Sequence, residues 1–177
     1  MNTSKSTRKK KLGLLTMTGI FMSMIVVAIL YILHIPIGNS QGYVHLGDAF
    51  IYLAAATLPT PYALVAAAFG GAAADILGGA AVWALPTALI KGVSVLFFDY
   101  RGKLFCKRNV LAIVLSGLVC VVGYYLAEVV LVGNFVAPIA SIPMNVIQAV
   151  ANGIAFVFVA LALDKTGVVK RFKNSIN

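Results

Sequence analysis

An all-α integral membrane protein is the fold class the sequence predicts, with six transmembrane helices and both termini cytoplasmic. Three observations predict it. The 177 residues are 61% hydrophobic and only 11% charged, where a soluble domain is ~45–50% apolar and ~25% charged. Mean hydropathy is +0.98, and most of the chain divides into apolar runs of the length a bilayer core of ~30 Å demands. A net charge of +9 is compatible with nucleic-acid binding, but thirteen of the fourteen basic residues fall in three juxtamembrane clusters: Lys5, Arg8, Lys9, Lys10 and Lys11; Arg101, Lys103, Lys107 and Arg108; Lys165, Lys170, Arg171 and Lys173. Such clusters orient a membrane protein and touch anionic lipid; no nucleic acid is expected. The predicted organisation is a basic cytoplasmic tail (1–11), a six-helix transmembrane domain (12–164) and a second basic cytoplasmic tail (165–177).

The first span is 12–33. It reads as a retained helix rather than a removable signal, since no small-residue cleavage site follows. It carries Gly19 and Ser23, a small-xxx-small pair that lets another helix approach closely. Residues 34–46 form an outer loop with Pro36, Gly38, Asn39, Ser40 and Gly42 and no Lys or Arg. The run that follows, 47–58, is too short to span unaided. Either the loop covers its outer end or the loop dips into the protein. Both options place a cavity near Tyr43, His45 and Asp48, because irregular backbone at membrane depth is tolerated only when buried or lining a cavity. Span three (62–77) is rich in Ala and Gly, the mark of close packing, and ends at Asp75. An outer loop with the only tryptophan, Trp83, leads to span four (86–100), which contains Lys91. Span five (110–132) carries Tyr124, Tyr125 and Glu128 in its last turns. Span six (142–163) has Pro143 in its first turn, where proline is tolerated.

Span six is interrupted by Asn145, Gln148 and Asn152, whose spacing puts them on one helix face. Amides in lipid are costly without partners. The stripe is therefore either one wall of a pocket for a small polar molecule or a set of bonds to neighbouring helices. Following each helix's direction brings Asp48, Asp75, Lys91, Tyr124, Glu128 and the amides to the outer half of the membrane. Lys91 either pairs with Asp75 or Glu128 or meets ligand. Asp48 is either the N-cap of span two or a ligand contact. Tyr124 shares a face with Glu128 and is favoured over Tyr125. Trp83 is an interface anchor or a stacking lid, and His34 is a loop histidine while His45 borders the suspected cavity. Cys106 and Cys120 make neither a disulfide framework nor a metal site. No nucleophile, metal or phosphate-loop motif is present, so the chain is not expected to be an enzyme or to hold a cofactor, and any ATP must be bound by another subunit. A proton-coupled carrier relaying through Asp75, Glu128 and Lys91 is the alternative of another class, although no internal repeat supports it.

These segments resemble the S component of an energy-coupling factor (ECF) vitamin transporter. The resemblance rests on G-Y-V-H-L-G-D-A-F-I-Y-L-A-A (42–55), the small-residue third span ending in A-D-I-L-G-G (74–79), and L-P-T-A-L-I-K-G (85–92), in the order S components show, and it covers about 19–163. It implies an S-component-like bundle in the cell membrane that captures a vitamin or precursor from outside and docks on a T transmembrane subunit joined to two ABC-type ATPases. It implies substrate binding by Tyr43, His45, Trp83, Lys91, Tyr124, Glu128, Asn145, Gln148 and Asn152, with Asp48 and Asp75 bordering the site. Gly19 and Ser23 occupy the family's docking motif, where alanines are more usual. The sequence most resembles the hydroxymethylpyrimidine type, which imports a thiamine precursor; a pyridoxine-like ring would satisfy the same groups. Gly19→Leu is expected to leave ligand binding intact and to weaken docking on the T subunit roughly tenfold, about 1.4 kcal/mol, in a co-purification titration. Asn152→Leu is expected to weaken ligand binding while the subunit still assembles.

Overall fold

The computed structural model describes residues 2–32, 35–36 and 43–176. Seven α-helices are present among them: α1 Asn2–Tyr31, α2 Gly47–Thr57, α3 Thr60–Leu77, α4 Ala84–Val95, α5 Lys107–Val132, α6 Ile142–Thr166 and α7 Val168–Ile176. Short 3-10 turns at Ala81–Trp83 and Ala137–Ser141 lead into α4 and α6. Between α1 and α2 a minimal antiparallel pair, β1 Ile35–Pro36 with β2 Tyr43–Val44, sets Ile35 opposite Val44 and Pro36 opposite Tyr43. His34 lies outside the described residues.

Four stretches have the length and apolarity to cross a bilayer: Thr7–Tyr31, Thr60–Leu77, Lys107–Val132 and Ala137–Thr166. The other two expected spans are shorter. Eleven residues in α2 rise roughly 16 Å and twelve in α4 roughly 18 Å, well under the ~30 Å of a bilayer core. Helix α4 ends at Val95 rather than near 100: 96–106 is irregular chain fastened from other helices. Helix α2 survives at this length because protein surrounds it. Every residue from Gly47 to Thr57 except Phe50 is buried, in contact with α1, α3, α4 and α6.

Small side chains permit that enclosure. Ala54, Ala56, Ala63, Ala66, Ala67 and Ala74 are wholly buried, so α2 and α3 approach their neighbours at backbone distance. On α3, a methyl group at Gly71 would lie 2.8 Å from Thr87 Cγ2 of α4, so only glycine admits α4 there. Larger side chains fill the middle: Tyr52 stacks on Phe98 at 5.2 Å between ring centroids, and Phe156 meets both rings edge-on at 6.2 and 5.9 Å. Helix α1 buries Leu14, Thr18, Phe21, Ile25 and Ile29, a three-and-four stripe. Gly19 and Ser23 lie on the opposite, exposed face, and nothing stands within 4 Å of a methyl placed on Gly19.

The basic end is closed by polar side chains that satisfy irregular backbone. Asn109 accepts from the Asp99 amide at 2.8 Å and donates to the carbonyls of Asp99 and Leu104. The Asp164 carboxylate accepts from the Leu104 and Phe105 amides at 3.1 and 2.9 Å. The expected C-terminal tail is in fact helix α7, turned from α6 at left-handed Gly167 (φ 67°). Lys173, on its inward face, is buried and donates to the carbonyls of Ala56 at 2.8 Å and Gly102 at 2.7 Å, completing the carboxyl end of α2. Burial holds the Lys173 ammonium below the ordinary lysine value, against the opposing pull of Asp164 and Asp99. Lys173→Met should lower stability by about 1–3 kcal/mol, the worth of charged hydrogen bonds. Hydrogen exchange should accelerate in α7 and in the last turn of α2, and unchanged protection there would refute the role.

Candidate functional site

The site is organised around the start of α2. His45 begins it: its Nδ1 accepts the Gly47 amide at 3.0 Å, so the ring caps the helix locally. Asp48 therefore has no capping task. It lies inside the first turn of α2, and its carboxylate turns into the bundle toward Lys91, 2.6 Å away. Both side chains are almost wholly buried, 1% and 2% exposed. The sequence reading offered Asp75 or Glu128 as the partner of Lys91 and a cap role for Asp48; the ion pair Asp48–Lys91 corrects both. The correction has a simple cause. His45 supplies the cap, and a two-turn-deep lysine on the short α4 meets the first turn of the enclosed α2.

The amide stripe of α6 clamps the same turn. Asn152, wholly buried, accepts from the Ala49 amide at 2.8 Å and donates to the carbonyls of His45 and Gln148 at 2.8 Å. Gln148 accepts from the His45 amide and donates to Asp48, both at 3.3 Å. Of the two readings of the stripe, these two residues thus bond the neighbouring segment at the start of α2, fixing the geometry of the polar cluster. Asn145, one turn outward, is half-buried.

Toward the carboxyl-terminal end of α5 the cluster becomes aromatic. The Lys91 ammonium sits 5.0 Å from the centroid of the Tyr124 ring and 3.6 Å from Cys120 Sγ. The Tyr124 hydroxyl shares a hydrogen bond with Thr87 at 3.1 Å, and its ring lies 6.1 Å from Trp83. Tyr125 instead donates to the Phe135 carbonyl at 3.0 Å. Glu128 is half-buried one turn beyond Tyr124, and Asp75 is buried at the end of α3. The structure therefore joins His45, Asp48, Trp83, Lys91, Tyr124, Gln148 and Asn152 through direct contacts. Glu128, Asn145 and Asp75 belong to the adjoining helix ends, and Gly19 and Ser23 lie apart on α1. The side chain of Tyr43 lies outside the described residues. Thr87 and Cys120 were missed. Each stands four residues before a residue that was singled out, Lys91 and Tyr124, and hence on the same helix face.

No group of three or more His, Cys, Asp or Glu among the described residues could hold a metal ion. Apolar helices, four stretches of which could cross a bilayer, enclosing a compact polar cluster with a half-buried aromatic pair at its edge, define a helical membrane protein. The comparisons with known proteins narrow that class. A family model described as "ECF-type riboflavin transporter, S component" matches residues 9–165, and the chain belongs to this family of vitamin-transporter subunits. It is also similar to a protein of Pyrococcus woesei described as "Uncharacterized protein in gap 3'region", 35% identical over 123 residues, 68% of this chain and 82% of the relative.

Replacing one partner of a buried ion pair strands the other, at about 3–5 kcal/mol. Asp48→Leu should therefore lower thermal stability in detergent by that amount, and the double variant Asp48→Leu/Lys91→Met should recover most of it. A double variant as unstable as the single one would show that the pair is not what holds α2 to α4.

Proposed function

We propose that this protein is the substrate-capturing subunit of an ATP-driven ECF importer, and that it takes an uncharged, flat heteroaromatic vitamin or vitamin precursor, hydroxymethylpyrimidine before others. The carrying observation is the mutual neutralisation of Asp48 and Lys91 beside the half-buried rings of Trp83 and Tyr124. A dianionic substrate would find no cation free of the pair within the cluster. A flat ring would find a π-face, and stacking of this kind is worth about 1–3 kcal/mol per ring. Glu128, Asn145 and the Thr87–Tyr124 hydroxyls supply acceptors and donors for an aminopyrimidine edge, while Gln148, Asn152 and His45 hold the wall rigid. Asp75 borders the site. A second reading, riboflavin, is favoured by the description of the family model.

In this reading six helices cross the membrane with both termini in the cytoplasm, as the basic clusters dictate. The short α2 and α4 reach full depth together with the chain at their ends. The T subunit docks against the free face of α1 at Gly19 and Ser23, and two ATPases supply the energy.

The test is calorimetric titration of the purified subunit with hydroxymethylpyrimidine, pyridoxine and riboflavin in the absence of ATP. Tight binding of the first is expected. Trp83→Ala should weaken it about tenfold or more, within the range of ring stacking, with little change in melting temperature because the ring is half-buried. Binding of riboflavin alone would replace the substrate. Failure of the whole panel, or uptake into vesicles without the ATPases, would overturn the importer-subunit reading.

A further inference from the structure

Between α5 and α6 runs an apolar slot of about 730 Å³. Its floor is where the two helices touch: a methyl on Gly117 would lie 3.2 Å from Ala149, and one on Gly153 would lie 2.7 Å from Ile113. Those two contacts also fix the register, antiparallel, with Gly117 opposite Ala149 and Ile113 opposite Gly153. The walls are Val110, Val114 and Leu118 on α5 and Val150, Ile154 and Phe158 on α6. They stand open, Val114 at 65% and Phe158 at 71% exposure. From Val110 to Val121 the slot extends roughly 17 Å along the helix, close to the ~15 Å of hydrocarbon in one leaflet of a bilayer.

The slot has a charged end. Lys107 lies three and seven residues before Val110 and Val114, so it continues the α5 wall. Lys165 lies seven residues after Phe158 and continues the α6 wall. Both are exposed. The first turn of α5 has no side-chain cap, its N-cap Cys106 making no such bond, so backbone amides there add to the positive potential. The nearby Asp164 carboxylate is engaged by the Leu104 and Phe105 amides.

We infer that this slot is a binding site for one anionic phospholipid of the leaflet at the basic end. One acyl chain lies between α5 and α6, and the phosphate meets Lys107, Lys165 and the first turn of α5. A second copy of the chain fits the same surface poorly. Two copies in one membrane are related by an axis along its normal, which would set Lys107 and Lys165 against their own images at equal depth. An anionic lipid answers both the length of the slot and the sign of its end.

The experiment is native mass spectrometry of the full chain after reconstitution in mixed dioleoyl-phosphatidylglycerol and dioleoyl-phosphatidylcholine. One phosphatidylglycerol retained per chain, in preference to phosphatidylcholine, is expected. The double variant Lys107→Glu/Lys165→Glu should reduce that preference about tenfold, as should Val114→Trp, which fills the slot without altering charge; Arg8→Glu/Lys9→Glu, in another basic cluster, should not. Equal retention of the two lipids by the unaltered chain, indifference to both slot variants, or a dimer mass abolished by Val114→Trp would overturn the inference. The first of these needs no variant to fold.

Discussion

The buried ion pair between Asp48 and Lys91 is the constraint on which the remaining architecture rests. Two opposite charges in a nearly dry interior are tolerable only in contact and with their remaining hydrogen-bonding capacity met. The first turn of α2 must therefore stay beside the middle of α4. Helix α2 is too short to hold that place by burial in lipid, so side chains from elsewhere hold it at both ends. Asn152 and Gln148 bond its first turn from α6, and Lys173 completes its last turn from α7. The small residues of α2 and α3 serve the same demand, since alanine and glycine let neighbouring helices come close to a helix of eleven residues.

This arrangement divides the molecule by depth. Polar groups gather at the start of α2, where His45, Asp48, Lys91, Gln148 and Asn152 interlock and Tyr124 and Trp83 form an aromatic margin. At the basic end Asn109, Asp164 and Lys173 are spent on irregular backbone, and the described residues there form no comparable cluster. Under the proposed function, a rigid interlocked wall beside half-buried rings need not reorganise when ligand arrives. A change at Asn152 would therefore act on binding and on folding together: the residue bonds three backbone groups of the wall itself, and its loss would leave buried amides and carbonyls unmet. That outcome differs from the clean separation of binding and assembly that its place in the stripe alone suggested.

The slot between α5 and α6 obeys a different rule. Nothing polar lines its walls, and its cations stand at one end only. Lipid contact is thus patterned in this chain as ligand contact is, by where charge stops and apolar surface begins.

By itself the sequence determined the membrane class, four long helices, the close packing of α3, the order of polar residues along the chain and the family motifs at 42–55, 74–79 and 85–92. Each of these follows from local composition or from helical spacing, which act within one segment. The partner of Lys91 was decided only by tertiary structure. Helical periodicity places a residue on a face but does not say which helix that face meets. Asp48, Asp75 and Glu128 all satisfied the depth argument, and only the packing of α2 between α4 and α6 selects Asp48. The same holds for Lys173. In the sequence it is one basic residue in a basic tail; in the fold, α7 turns at Gly167 and carries it to two carbonyls that no shorter-range feature reveals.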